Sequence, residues 1–276
     1  MRITTLSENT ARLGDLLGEW GLSILVETDD STVLLDAGKG FSAVYNADSL
    51  GINLSKVNKI VLSHGHYDHT GGLREVLRRM NKQVEIIAHP DIWQAKYSRR
   101  EGEPGRYIGV PFQRDELENL GANFHLTAQP INITSAIMTT GEIPMITALE
   151  KVDTALFIKE GIAWQPDKVM DDQALIIKTE QGLVIILGCA HRGIINTLYH
   201  AQRLTGISKI HAVIGGSHLV GASEERLRHT IATLKELNIQ KLGLCHCTDL
   251  PAISVLAKEF GDKFIFNKAG TTIVLP

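Results

Sequence analysis

One order of elements, hairpin, helix, strand, helix, strand, runs through this chain twice, and it narrows the available folds more than any other feature. In the first pass the β-rich runs 22–28 and 32–35 flank the turn residues Asp29, Asp30 and Ser31, which reads as a hairpin. A helical segment over 41–50, an apolar strand over 59–62, a helix over 73–80 and a strand over 84–88 follow. In the second pass the hairpin covers 174–187, with a helix over 194–204, a strand over 209–214, a helix over 224–237 and a strand over 241–244. Strands that alternate with helices build sheets with helices packed outside them. Two such halves related by a pseudo-twofold predict an α/β fold of two packed sheets in one domain over residues 1–276.

The strand ends carry the chemistry, as they do in open α/β sheets. The first half delivers Asp36, then His64, His66, Asp68 and His69, then His89; the second delivers Cys189 and His191, then His218, then His246. The repeat predicts that these residues converge along one edge. The densest stretch is Ser63–Gly72, where three imidazoles and a carboxylate occupy six positions in a chain with only 11 histidines among 276 residues. His64 and His66 stand two apart, so in an extended turn they point the same way. Asp68 and His69, where the turn enters a helix, are expected to face a second ion. Two metals about 3.5–4 Å apart could clamp a substrate oxygen between them. Imidazole with carboxylate suits zinc, iron or manganese and not an all-oxygen calcium site.

Composition bounds the rest. With 43% hydrophobic and 21% charged residues and a formal charge of −3, the chain reads as globular and lacks the basic footprint of a general nucleic-acid binder. A small-molecule substrate is the expected partner, with no membrane and no nucleic acid. The longest apolar run, around 183–190, falls far short of the roughly 20 residues that span a bilayer. The start carries no secretory pattern, and the three cysteines are a poor disulfide framework, so the expected location is cytoplasmic. Cys245 and Cys247 flank His246, and strand alternation would turn both away from it into packing. Residues 97–112 read as an exposed insertion. Residues 141–171 fit no sheet pattern and read as a cap, since long excursions in compact domains are often lids. Their apolar residues could equally serve a homodimer interface.

The stretch Ser63-His64-Gly65-His66-Tyr67-Asp68-His69-Thr70-Gly71-Gly72 resembles the signature of the metallo-β-lactamase superfamily. That resemblance implies a four-layer αββα sandwich with two pseudo-symmetric halves, and it matches Asp36 to the aspartate that precedes the histidine motif. More narrowly, residues 36–40, 188–194, 215–219 and 246–249 are similar to the 7,8-dihydropterin-6-methyl-4-(β-D-ribofuranosyl)aminobenzene-5′-phosphate synthase group. Its members condense a dihydropterin diphosphate with a ribofuranosyl-aminobenzene phosphate, and many relatives are labelled only metal-dependent hydrolases. The implied metal ligands are His64, His66, Asp68, His69, His191 and His246, holding two divalent ions. Zinc is the first expectation, with iron, manganese or magnesium also open.

The remaining roles follow position by position. Asp36 is expected behind the ligands, fixing a histidine tautomer. Asp68, Asp36 and His218 make the expected catalytic set, with His218 as a substrate or acid–base group and metal ligation as its alternative. Lys39, among glycines at a helix start, could hold a phosphate. Cys189 stands where two-metal relatives usually carry a bridging aspartate, so it is a possible soft ligand, and Asp171 or Asp172 offers another carboxylate. His89 is read as a rim residue, and His125, His200, His211 and His229 as core or surface. The expected function is a metal-dependent hydrolase, or a transferase with a phosphoryl leaving group, acting on a small phosphorylated molecule. The dihydropterin condensation is the first alternative; a non-catalytic protein or a redox di-iron protein is the other, although the chain has no room for a flavin domain.

Overall fold

The computed structural model describes residues 1–100 and 102–275. In chain order the strands are β1 (Arg2–Ser7), β2 (Ser23–Glu27), β3 (Thr32–Leu35), β4 (Lys59–Val61), β5 (Val84–Ala88), β6 (Lys96–Ser98), β7 (Arg106–Tyr107), β8 (Ala122–Leu126), β9 (Ile137–Thr139), β10 (Leu156–Glu160), β11 (Ala163–Pro166), β12 (Ala174–Thr179), β13 (Gly182–Leu187), β14 (Ile210–Gly216), β15 (Lys241–Cys245) and β16 (Thr272–Val274). The helices are α1 (Ser42–Ser49), α2 (Tyr67–Thr70), α3 (Leu73–Met80), α4 (Arg114–Asn119), α5 (Ile194–Thr205), α6 (Glu224–Glu236) and α7 (Leu250–Phe260). The chain divides into two compact units, one of residues 1–128, 152–171 and 268–275, the other of 129–151 and 172–267.

In the first unit seven strands form a sheet in the order β16-β1-β2-β3-β4-β5-β8. The hairpin β2–β3 is antiparallel, whereas β3, β4, β5 and β8 run parallel, and parallel strands need crossover connections. α3 supplies part of one crossover. It buries Leu73, Val76, Leu77 and Met80 on one stripe, the spacing of an amphipathic helix, against a core that includes Leu34, Ile60 and Ile86. Arg78 and Arg79 occupy its last turn and Asn81 ends it in the left-handed region at φ 49°, a common helix stop.

A second, four-stranded sheet in this unit has the order β11-β10-β6-β7. Both segments read as irregular from sequence therefore contribute strands, and they pair with each other: Leu156–Ile158 pair with Ser98–Lys96. Tyr97, Tyr107, Phe157 and Trp164 pack edge to face across it. The stretch expected as one cap is in fact divided, since residues 141–151 go with the second unit.

The second unit builds a five-stranded sheet in the order β15-β14-β13-β12-β9. β9, β12 and β13 are antiparallel, and β13, β14 and β15 are parallel. The repeat in the sequence is thus a repeat of topology: β2, β3, β4 and β5 correspond to β12, β13, β14 and β15. Helix α5 begins over a buried carboxylate, with Glu150 accepting from the backbone N–H groups of Ile195 at 2.9 Å and Asn196 at 2.8 Å, where a helix start favours an anion. Burial raises the Glu150 pKa above the ordinary carboxylate value, against the pull of those hydrogen bonds. Among the described residues no helix is long and apolar enough to cross a membrane.

Candidate metal centre

β3 ends on Asp36, which is fully buried and sits in the left-handed region at φ 58°. One carboxylate oxygen accepts from Ser63 N at 2.7 Å; the other accepts from Ser63 Oγ at 2.6 Å and from His69 Nδ1 at 2.7 Å. A serine hydroxyl has one proton. Because that proton goes to Asp36, Ser63 Oγ receives the Nδ1 proton of His64 across 2.9 Å. Both His64 and His69 therefore carry their proton on Nδ1 and turn a lone pair outward on Nε2, the arrangement a carboxylate enforces behind a metal-binding imidazole. Asp36 thus meets His69 directly and reaches His64 through Ser63.

His64 Nε2 lies 3.0 Å from His66 Nδ1, and the two rings meet edge to face with centroids 4.5 Å apart. His66 is buried, and burial drives its pKa down; Asp68 pulls it back, Lys96 and His69 push it down again, and the outcome is about 3. A ring with that pKa is neutral at neutral pH, the form that binds metals. Asp68 lies in the first turn of α2 and accepts from the indole N–H of Trp20 at 3.0 Å. The turn behind it is tight: a Cβ on Gly72 would stand 2.0 Å from the Ala37 carbonyl, and one on Gly71 2.1 Å from that of Lys39.

A buried charge cluster supports the same loop. Lys96 is fully buried and donates to Asp167 at 3.0 Å and Asp171 at 2.9 Å. Burial alone would lower the Lys96 pKa, but the two carboxylates outweigh it and the net direction is up. The other oxygen of Asp171 accepts from Gly65 N at 2.7 Å, between the first two motif histidines. Asp171, read from sequence as a spare metal carboxylate, instead spends both oxygens on Lys96 and the loop backbone.

Lys39 also departs from expectation. The backbone N–H groups of Gly40 and Ser42, at the start of α1, meet the Glu19 carboxylate at 3.1 and 3.3 Å, so the phosphate cradle read there is filled by the protein's own anion. The Lys39 ammonium stands 5.9 Å from the ring centre of Tyr67, and the Arg106 guanidinium stands 5.8 Å from the same ring. Both cations are exposed. His89 accepts from Asp91 N at 3.0 Å and so caps a short turn. His125 pairs with Glu85, and His200 meets the Thr140 carbonyl at 3.1 Å; His211 is half-buried and His229 exposed.

In the second unit the equivalent strand ends hold sulfur. Cys189 and His191 are buried after β13, with Ala190 between them at φ 52°. Asp172, the other spare carboxylate, accepts from Arg192 N at 2.8 Å. His218 follows β14 at φ 44° and its ring lies 4.2 Å from that of His191. His246 follows β15 at φ 55° and opens a short 3-10 turn over 246–248. That turn interrupts strand alternation, and Cys247 is buried as a packing residue would be while also making polar contacts. Its Sγ accepts from His218 N at 3.3 Å and donates to the Cys189 carbonyl at 3.6 Å. Burial pushes the Cys247 thiol up, but hydrogen bonds with Cys189 and His218 and the nearby histidines bring it well below the ordinary thiol value. Cys245 is buried and accepts from Asn267 at 3.3 Å, as a packing residue should.

The sequence profile of the metallo-beta-lactamase superfamily matches residues 21–193. The chain belongs to the metallo-beta-lactamase superfamily. Across 285 aligned residues it is 33% identical to the 7,8-dihydropterin-6-methyl-4-(beta-D-ribofuranosyl)-aminobenzene-5'-phosphate synthase of Methanocaldococcus jannaschii, covering 99% of this chain and 96% of that protein. An uncharacterized protein of the same organism is 32% identical over 98% of this chain and 99% of its own length. A solved metal-dependent hydrolase of the beta-lactamase superfamily superposes with a TM-score of 0.85 at 29% identity, covering 100% of this chain and 99% of that one. The fold and the branch expected from the motif are borne out, and the chain is an enzyme of this superfamily. Its donor set fits the divalent metals the superfamily typically binds: lone pairs on His64 and His69, a neutral His66 and a carboxylate at Asp68.

Proposed function

We propose that this enzyme uses two divalent ions, zinc in the first instance, to act on a small phosphorylated molecule. The carrying observation is that Asp36, directly and through Ser63, fixes two histidines in the metal-binding tautomer while burial keeps a third neutral. His64, His66, Asp68 and His69 would hold metal, with His191 and His246 as the ligands proposed from the second half of the repeat. Bound ions would supply Lewis-acid neutralisation of charge on a phosphate or leaving group. The chain's own groups do the rest. Trp20 steadies Asp68, and Lys39 and Arg106 flank Tyr67 as cations for a substrate anion.

Between the two reactions, the condensation of a dihydropterin diphosphate with a ribofuranosyl-aminobenzene phosphate is favoured. The synthase relative, 33% identical over 99% of the chain, supports it; the hydrolase neighbour supports the second reading, simple hydrolysis of a phosphorylated compound. A soluble cytoplasmic enzyme without nucleic-acid partners, as a monomer or homodimer, completes the proposal. The test is turnover by zinc-loaded protein given the pterin diphosphate with and without the aminobenzene phosphate. Diphosphate release with coupled product, only when both are present, is the expected result. Release that ignores the second substrate would replace condensation by hydrolysis. No turnover of these compounds or of a phosphodiester panel by fully loaded protein would sink the reading.

A further inference from the structure

We propose that Cys189, His218 and Cys247 form a thiol-rich cation site within the second unit, suited to a thiophilic divalent ion such as zinc or cadmium. One donor atom from each lies within 4.8 Å of the others, and Cys189 and Cys247 are buried. A tetrahedral zinc with bonds of about 2.3 Å to sulfur and about 2.0 Å to nitrogen sets its donors about 3.3–3.8 Å apart. The trio thus needs side-chain movements on the order of an ångström to close on an ion. Two thiolates and an imidazole are a recurrent zinc donor set, and sulfur selects against magnesium or calcium.

Three features set this cluster apart from ordinary packing. First, the backbone N–H of His218 donates to Cys247 Sγ at 3.3 Å, the kind of support behind a ligand that tunes its donor. Second, His218 reaches its place from the left-handed region at φ 44°, a conformation that is strained in a residue with a Cβ and that clusters where ligands bind. Third, the neighbouring strand end leaves room only for glycine: a Cβ on Gly216 would stand 2.7 Å from Cys247 Sγ and 2.4 Å from the Gly188 carbonyl. Cys245, two residues from Cys247 and equally buried, is outside the group and is held by Asn267. It serves as an internal control.

The proposal does not depend on which reaction the enzyme runs. Metal-free protein would be titrated with Co2+, reading the near-ultraviolet sulfur-to-cobalt charge-transfer band, and with Cd2+ in competition. Wild type should show the band, Cys189→Ser and Cys247→Ser should each weaken Cd2+ binding at this site by about tenfold or more, and Cys245→Ser should leave it unchanged. His66→Ala should lower total metal while keeping the band, which separates failure of this proposal from failure of the histidine site. X-ray absorption of zinc-loaded wild type, which needs no variant to fold, should show two sulfur scatterers per protein at about 2.3 Å. No band, no sulfur scatterer, or a band that survives Cys247→Ser in folded protein would overturn the proposal.

Discussion

After β3 the first unit places Asp36, a carboxylate that accepts from a serine and a histidine and so aims two imidazoles. At the corresponding strand end of the second unit, after β13, stands Cys189, and the aiming there is done by backbone: left-handed residues at 190, 218 and 246 and an N–H to a sulfur. The same topology thus presents two donor sets held in place by different physics. In the first unit buried charge fixes proton positions, which makes the set sensitive to single charge changes. In the second, strained turns and close packing fix atom positions, which makes it sensitive to side-chain volume.

The largest effect that would break this contrast is in the charge cluster under the motif. Lys96→Met leaves Asp167 and Asp171 buried without their cation, and stripping one partner from a buried pair costs about 3–5 kcal/mol. In metal-free protein that should lower Tm by on the order of 10 °C. Adding Asp171→Asn should return part of the loss, because less charge is then stranded. A Lys96→Met change below about 1 kcal/mol by denaturant unfolding would show that the loop does not rest on this cluster.

A smaller effect sharpens the contrast. Asp36→Asn keeps the shape but puts an amide N–H2 where an acceptor is needed, so His69 and Ser63 lose their common acceptor. Replacing a carboxylate behind metal-binding histidines costs about 10–100-fold in metal affinity. Isothermal titration with Zn2+ should show that loss, while the cobalt–sulfur band assigned to Cys189 and Cys247 stays. Loss of both together would mean that the two donor sets are not independent.

How much of this could be read from the chain depended on whether a local pattern decided the structure. The repeat was legible because its strands alternate or run apolar at fixed order, and the motif because extended spacing puts His64 and His66 side by side. Asp36 was picked out by its match, at a strand end, to the aspartate that precedes the histidine motif. Trp20, Lys96 and Arg106 were not, since each reaches the motif through a contact distant in sequence: Trp20 to Asp68, Lys96 to Asp171, Arg106 to Tyr67. The sheet formed by β6, β7, β10 and β11 was missed because its strands come from two separated segments, the shortest only Arg106–Tyr107. The burial of Cys247 was legible, but its contacts with His218 and Cys189 were not, because a 3-10 turn begins at His246 and ends the alternation there.

The smallest effect concerns protons alone. His66 has an ordinary pKa of 6.5 when unfolded and about 3 in the fold, chiefly through burial. Between those values the unfolded chain binds a proton that the native one does not. Stability therefore rises with pH by up to about 1.4 kcal/mol per unit from this residue, is fully present above 6.5 and is lost progressively as pH falls toward 3. Denaturant unfolding of metal-free protein from pH 4.5 to 7.5 should show that slope, and His66→Gln should remove about one proton's worth of it. Cys245→Ser, which changes a packing sulfur in the other unit, should leave the slope as it is. An unchanged slope in His66→Gln would mean that His66 is already charged in the fold, and the neutral-ligand reading of the first unit would fail with it.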